Sequence, residues 1–159
     1  MPEAHEGTQP TPSGATPGVA LDPYRNYNFK VSIPGFAEAH FKECSNLGIK
    51  VDVIAYREAG ASAVVRWIPG RTEYEPVTLS YGLTASKDLW EWVLTGVKGT
   101  VQRKRLTIIM LDADGQTEHL RWNLNNAWVS EWRGAPLDAM GQEIAIERIT
   151  VVFETLDRD

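Results

Sequence analysis

One pattern governs what this chain can fold into: apolar and polar residues alternate with period two along most of its length. Tyr27, Phe29, Val31 and Ile33 are separated by Asn28, Lys30 and Ser32. Ile49, Val51, Val53 and Ala55 repeat the pattern around Lys50 and Asp52. Val77, Leu79 and Tyr81 alternate with Thr78 and Ser80, and Leu120, Trp122 and Leu124 with Arg121 and Asn123. Successive side chains of a β-strand point to opposite faces, so each segment predicts a strand with one buried and one polar face. Leu106–Leu111 is apolar on both parities, which predicts a central or doubly covered strand. The last strand changes phase between Ile144, Ile146 and Ile149, Val151, Phe153, which predicts a β-bulge near Glu147-Arg148.

A single segment breaks the period. Ser86 suits an N-cap, Asp88 suits the first turn, and Leu89, Trp90, Val93, Leu94 and Val97 fall on one helical face. Gly96 and Gly99 offer stops. Asp112-Ala113-Asp114-Gly115 predicts a hairpin turn between two strands. The fold class is therefore mainly β: an antiparallel barrel or sandwich of six to eight strands with one α-helix laid on it as a plug or lid.

With 159 residues, the chain has about one domain's length. Residues 22–159 carry the periodic signal. Residues 1–21 hold Pro2, Pro10, Pro12 and Pro17 and almost no large apolar side chain, which predicts a flexible arm. That arm reads either as a passive tail or as a segment that orders against a partner.

Catalytic and metal signatures are missing from the sequence. His5, His40 and His119 stand alone, and Cys44 is the sole cysteine, so no zinc spacing and no intrachain disulfide framework exist. Asp112-x-Asp114-Gly115 lacks the remaining ligands of a calcium loop, and Gly96-Val97-Lys98-Gly99 lacks the ending of a phosphate loop. A formal charge of −5 disfavours a generic nucleic-acid binder. No apolar run reaches the roughly 18 residues of a membrane span, and no secretory leader is visible, so cytoplasmic synthesis is the default expectation.

Apolar surface remains that one small core need not absorb. Residues 57–74 read as a long loop or extended hairpin that nonetheless carries Val64, Val65, Trp67 and Ile68. Six tryptophans are many for this length, and Trp128 and Trp132 share a parity with Ser130. These indoles belong either in the core or at subunit contacts. Arg103-Lys104-Arg105 reads as a solvated strand entry or as a charged contact with a neighbouring subunit.

Taken in order, several of these stretches resemble the tail tube proteins of contractile phages and the inner tube proteins of extracellular contractile injection systems. The resemblance lies in Asp22-Pro23-Tyr24-Arg25-Asn26-Tyr27-Asn28-Phe29-Lys30-Val31, Tyr56-Arg57-Glu58-Ala59-Gly60 and Pro69-Gly70-Arg71-Thr72-Glu73-Tyr74. It continues through Leu89-Trp90-Glu91-Trp92-Val93, Val101-Gln102-Arg103-Lys104, Leu111–Gly115, Trp122–Trp128, Leu137-Asp138-Ala139 and Glu143–Glu147, and so covers about residues 22–156. The first loop departs from the family's two-glycine form, with Ala59-Gly60-Ala61 in its place.

The resemblance implies a structural, non-enzymatic subunit with no cofactor and no membrane anchor, similar in fold to the haemolysin-coregulated tube protein of type VI secretion. It implies six-membered rings whose strands join around a lumen. The rings would stack into a tube inside a contracting sheath, ended by baseplate and cap proteins, with protein cargo or DNA as candidates for the lumen. Synthesis would be in a bacterial cytoplasm and residence in a tail or released particle. A ring-stacking loop would comprise Arg57, Glu58, Val64, Val65, Arg66, Trp67, Ile68 and Arg71, and Arg103, Lys104 and Arg105 would supply an inter-subunit basic contact. Asn28, Lys30, Thr78, Ser80 and Asn123 are available to line the lumen. A small ligand- or carbohydrate-binding β-barrel with exposed tryptophans is the competing reading.

Overall fold

The computed structural model describes residues 28–36, 41–45, 47–60, 64–83 and 87–159. The expected arm, residues 1–21, lies outside them, as do Tyr27 and Ser86. Among the described residues, nine strands and one helix run in the order β1 (Phe29–Ser32), β2 (Phe41–Cys44), β3 (Ile49–Tyr56), β4 (Arg66–Tyr74), β5 (Val77–Gly82), α1 (Asp88–Val97), β6 (Lys104–Leu111), β7 (Glu118–Arg133), β8 (Ile146–Val152) and β9 (Thr155–Arg158). The architecture is mainly antiparallel β with one helix, as the alternation predicts. The four-residue strands β2 and β9, too short to announce themselves by alternation, bring the count to nine.

Seven strands form one bent sheet in the order β1-β6-β7-β8-β5-β2, with β9 also on β7. The bend sits in β7, sixteen residues long. Its first part pairs with β6 and β9, from Trp122↔Arg158 to Asn125↔Thr155 on the latter side. Its last part pairs with β8, from Trp128↔Val152 to Arg133↔Arg148. One strand thus serves two leaves, as at the corner of a sandwich or a closing barrel. The register slips between Val129 and Glu131, leaving Ser130 as the extra residue. The β5–β8 ladder runs unbroken from Val77↔Val151 to Gly82↔Ile146. The bulge expected near Glu147-Arg148 is therefore on the partner strand instead. Ile144, which suggested the phase change, precedes β8 and is exposed.

The two leaves enclose one core. Val31, Leu106, Ile108 and Leu124 face Val77, Leu79, Val129, Ile149 and Val151, and Leu79, Leu106, Leu124 and Ile149 are wholly shielded. β6 lies inside the sheet between β1 and β7, with Leu106–Ile109 buried on both parities, as its composition predicts. Ile109, on its outer parity, is buried between its register partners Lys30 and Arg121. Both cations reach Glu118, at 3.1 and 2.6 Å, so their stems flank Ile109 while their heads share one carboxylate.

The helix packs against the core through Trp92, with Leu89 and Val93 partly buried beside it. This corrects the expected face: Trp90 and Val97 are exposed. No side chain caps its start, where Lys87 is the N-cap residue. Its end is a Schellman motif: Thr100 N donates to Thr95 O at 3.0 Å and Gly99 N to Gly96 O at 3.3 Å. Gly99 takes φ +76°, which only glycine adopts without cost, so it is the stop, and Gly96 lies inside the helix.

Candidate assembly surface

β3 and β4 form a two-stranded sheet of their own. The sequence predicts for β3 the same half-buried strand as for β1, and here that expectation fails. Val31 is buried, whereas Ile49, Val51 and Val53 are exposed, with Val53 66% open to solvent. On the opposite parity, beyond the charged Lys50 and Asp52, Ile54, which faces Ile68, and Tyr56 are exposed as well. β4 occupies Arg66–Tyr74 and pairs with β3, so of the two readings of residues 57–74, a long loop or an extended hairpin, the hairpin holds.

The hairpin is built as an arm. At its base Tyr74 meets Phe153, in the link between β8 and β9, at a ring distance of 5.7 Å, and Glu75 N donates to Gly48 O at 2.9 Å. A bulge places Gly70-Arg71 opposite Asp52, between the pairs Val51↔Thr72 and Val53↔Pro69. A Cβ on Gly70 would come within 3.2 Å of Asp52 O and the Ile54 side chain, so this close approach favours glycine. Pro69 is tolerated because β4 is an edge strand needing no donor on its outer side.

The structure brings the expected stacking residues together on this arm. Trp67 is 70% exposed and Val64 68% exposed, which removes the core reading for both. Ile68 is exposed, Val65 half-buried, and Arg57, Glu58 and Arg66 lie in solvent. Arg71 pairs with Glu73 and lies 3.8 Å from Asp52. Among the described residues neither Arg57 nor Arg66 makes an ion pair.

The basic run is divided among partners within the chain. Arg103 lies 3.8 Å from Glu154. Lys104 donates to Pro34 O at 3.5 Å and stands 4.7 Å over the Phe36 ring. Arg105 Nε donates to Asn125 Oδ1 at 3.0 Å.

The outer face of the β6–β7–β9 leaf is a polar ladder. Thr107 Oγ1 donates to Asn123 Oδ1 at 3.0 Å, Asn123 Nδ2 to Asp159 at 3.0 Å, and Asn125 Nδ2 to Asp157 at 2.6 Å. Lys30 belongs to this side through its register with Ile109. Thr78 lies on the other leaf, 3.5 Å from Thr150 by its hydroxyl. Ser80 is buried within the chain and so is not available as a lining residue. Asn28 donates to Asp112 O at 3.0 Å.

A second apolar surface, a cleft of about 390 Å³ between α1 and the end of β7, escaped the sequence reading. Trp90, Leu94 and Val97 line it from the helix, and Trp128, Glu131 and Trp132 from the strand. The Trp90 and Trp132 rings meet edge to face at 5.0 Å. The cleft could be found only by knowing that Trp92 turns inward and Trp90 outward. Among the described residues no group of three or more metal-ligating side chains occurs, and no helix is long and apolar enough to cross a membrane.

Comparison with solved structures places this fold among tube proteins. It is similar to a chain of the sheath/tube terminator of an extracellular contractile injection system, PVC, in its extended state. That match has 25% identity and a TM-score of 0.79, covering 89% of this chain and 99% of the other. A chain of the PVC sheath-tube complex matches at 26% identity and a TM-score of 0.76, covering 86% and 91%. Hcp1 from Flavobacterium johnsoniae shares the fold at 13% identity and a TM-score of 0.53, covering 82% and 93%. Curated protein sequences give no match. The sequence profile of the T4-like virus tail tube protein gp19 family matches residues 25–157, nearly the whole periodic region, and the chain belongs to that family.

Proposed function

We propose that this tail tube protein forms six-membered rings that stack into the inner tube of a contractile injection particle, and that the β3–β4 arm is the stacking device. The observation that carries the reading is the arm itself. A free two-stranded hairpin is marginal in water, and one with apolar side chains on both faces needs a partner. Covering the Trp67 indole removes ~150–250 Å² from water, or roughly 4–6 kcal/mol before ordering costs are subtracted. Repetition around a ring multiplies whatever remains.

Ring closure is supported by the open edges of β1 and β2 at the two ends of the main sheet. Identical neighbours can pair along them and remove the exposed-edge liability. The polar ladder of the β6–β7–β9 leaf faces the lumen in this reading, and a sheath encloses the tube. The particle is assembled in a bacterial cytoplasm and acts outside it, with cargo travelling in the lumen and no catalysis by the subunit. The basic run adds a contact between subunits by exchanging partners such as Glu154.

Electron microscopy of the purified chain tests this. Rings with six-fold symmetry, alone or stacked, are expected. A monomer that stays monodisperse at high concentration would overturn the reading and favour a ligand-binding barrel.

A further inference from the structure

We infer that the cleft between α1 and β7 is the seat of Trp67 from a second copy of the chain. The inference rests on the arm being a stacking device and adds where it docks. The chain carries both a knob and a hole. The knob is its most exposed tryptophan, on an arm that reaches away from the main sheet. The hole is an apolar recess of about 390 Å³ walled by Trp90, Val97, Trp128 and Trp132. Trp90 and Val97, at 45% and 77% exposure, leave its mouth open.

Indoles seated in pockets are the commonest energetic centres of protein contacts. The edge-to-face pair of Trp90 and Trp132 presents ring edges and faces against which a third indole can tilt. Charge agrees as well: the charged side chain lining the cleft is Glu131, which pairs with Arg133 within its own strand, and the knob is adjoined by Arg66, a cation without an ion pair among the described residues that can join the same carboxylate.

A knob and a hole at different places on one chain make a head-to-tail contact, which propagates instead of closing on a pair. A tube requires that geometry between rings.

The test uses the full-length chain and three variants, with self-association followed by sedimentation and electron microscopy and folding by circular dichroism. Trp67→Ala removes the knob. Val97→Glu puts a charge at the mouth, at a site exposed enough to leave the fold intact. Gly96→Leu fills the cleft from the helix, where a Cβ would sit an ordinary 3.5 Å from Val129 O.

Each variant should raise the concentration needed for stacking at least tenfold with an unchanged spectrum. An equal mixture of Trp67→Ala and Val97→Glu should form junctions that stop growing, because each supplies what the other lacks. If Trp67→Ala fails to stack while both cleft variants stack normally, the seat is elsewhere and only this inference falls. If the cleft variants fail while Trp67→Ala stacks, or if the mixture forms no junctions, the pairing is also wrong. Normal stacking by all three, or no self-association of the parent chain, overturns the arm reading as well.

Discussion

Trp92 Nε1 donates a 2.8 Å hydrogen bond to the backbone carbonyl of Gln102, tying the middle of the only described helix to the segment that enters β6. The same turn is tightened from the other side. Thr95 Oγ1 donates to Trp92 O at 2.6 Å and accepts from Gln102 N at 3.4 Å. The indole is 3% exposed and meets Phe36 at 5.7 Å, so it fills the core and satisfies a buried polar group at once.

Replacing Trp92 therefore separates those two roles. Trp92→Phe keeps most of the packing and removes the hydrogen bond to the carbonyl of exposed Gln102, at a cost of about 0.5–1.5 kcal/mol. Trp92→Ala adds a cavity and should cost about 3–5 kcal/mol. Denaturant unfolding of the unassembled subunit measures both, and a Trp92→Phe variant as stable as the parent would show that the hydrogen bond contributes nothing.

Trp67 should behave in the opposite way. At 70% exposure it packs little within its own chain, so Trp67→Ala should change subunit stability by less than ~0.5 kcal/mol. The measurement is again the unfolding midpoint, taken at a concentration too low for self-association. A loss as large as that of Trp92→Ala would return this side chain to the core.

The β6–β7 turn carries a pH signature. The Asp114 carboxylate accepts from the Thr117 hydroxyl at 2.6 Å, from Thr117 N at 2.9 Å and from Gln116 N at 2.8 Å. These bonds hold its pKa down to about 2, with the Thr117 hydroxyl the largest cause. A carboxylate with a depressed folded pKa stabilises the fold above its unfolded value near 3.9. That stabilisation is lost as pH falls through about 2. Carbon-detected titration of Asp114 by NMR should show its inflection near 2, and one near 4 would show that the turn is not formed as described. Thr117→Val should raise the inflection.

Cys44 should be a slow nucleophile. Burial pushes its thiol up to about 11, and its Sγ–H points to Ser45 O at 3.4 Å. At pH 8 only about one molecule in a thousand would then carry the thiolate, the reactive form. Alkylation of the native subunit should be far slower than of the denatured chain. Equal rates would place the thiol in solvent.

Much of this molecule was legible in its order of residues. Alternation located β1, β3, β5, β7 and β8, an apolar run located central β6, and Asp112–Gly115 located the hairpin between β6 and β7. These signals are local: strand side chains alternate wherever the backbone is extended, and glycine marks a turn whatever packs around it. The ordered set of short matches pointed to the tube family for the same reason, being a property of the string alone.

What alternation could not say is which strand meets a core. β1 and β3 carry nearly the same pattern, yet Val31 is 5% exposed and Val53 66%. Burial depends on what lies across the sheet, and β3 pairs with β4 outside the main sheet. The same holds for the helix, whose sequence offers two apolar stripes. Only the position of the β-leaves chose Trp92 for the inside and left Trp90 to wall a cleft. The bulge likewise moved from Glu147-Arg148 to Ser130, because register belongs to a pair of strands and one strand's phase cannot assign it. The chain's local chemistry determined its elements and its family. Tertiary structure decided where its apolar surface remains uncovered, because burial is a relation between segments far apart in the chain.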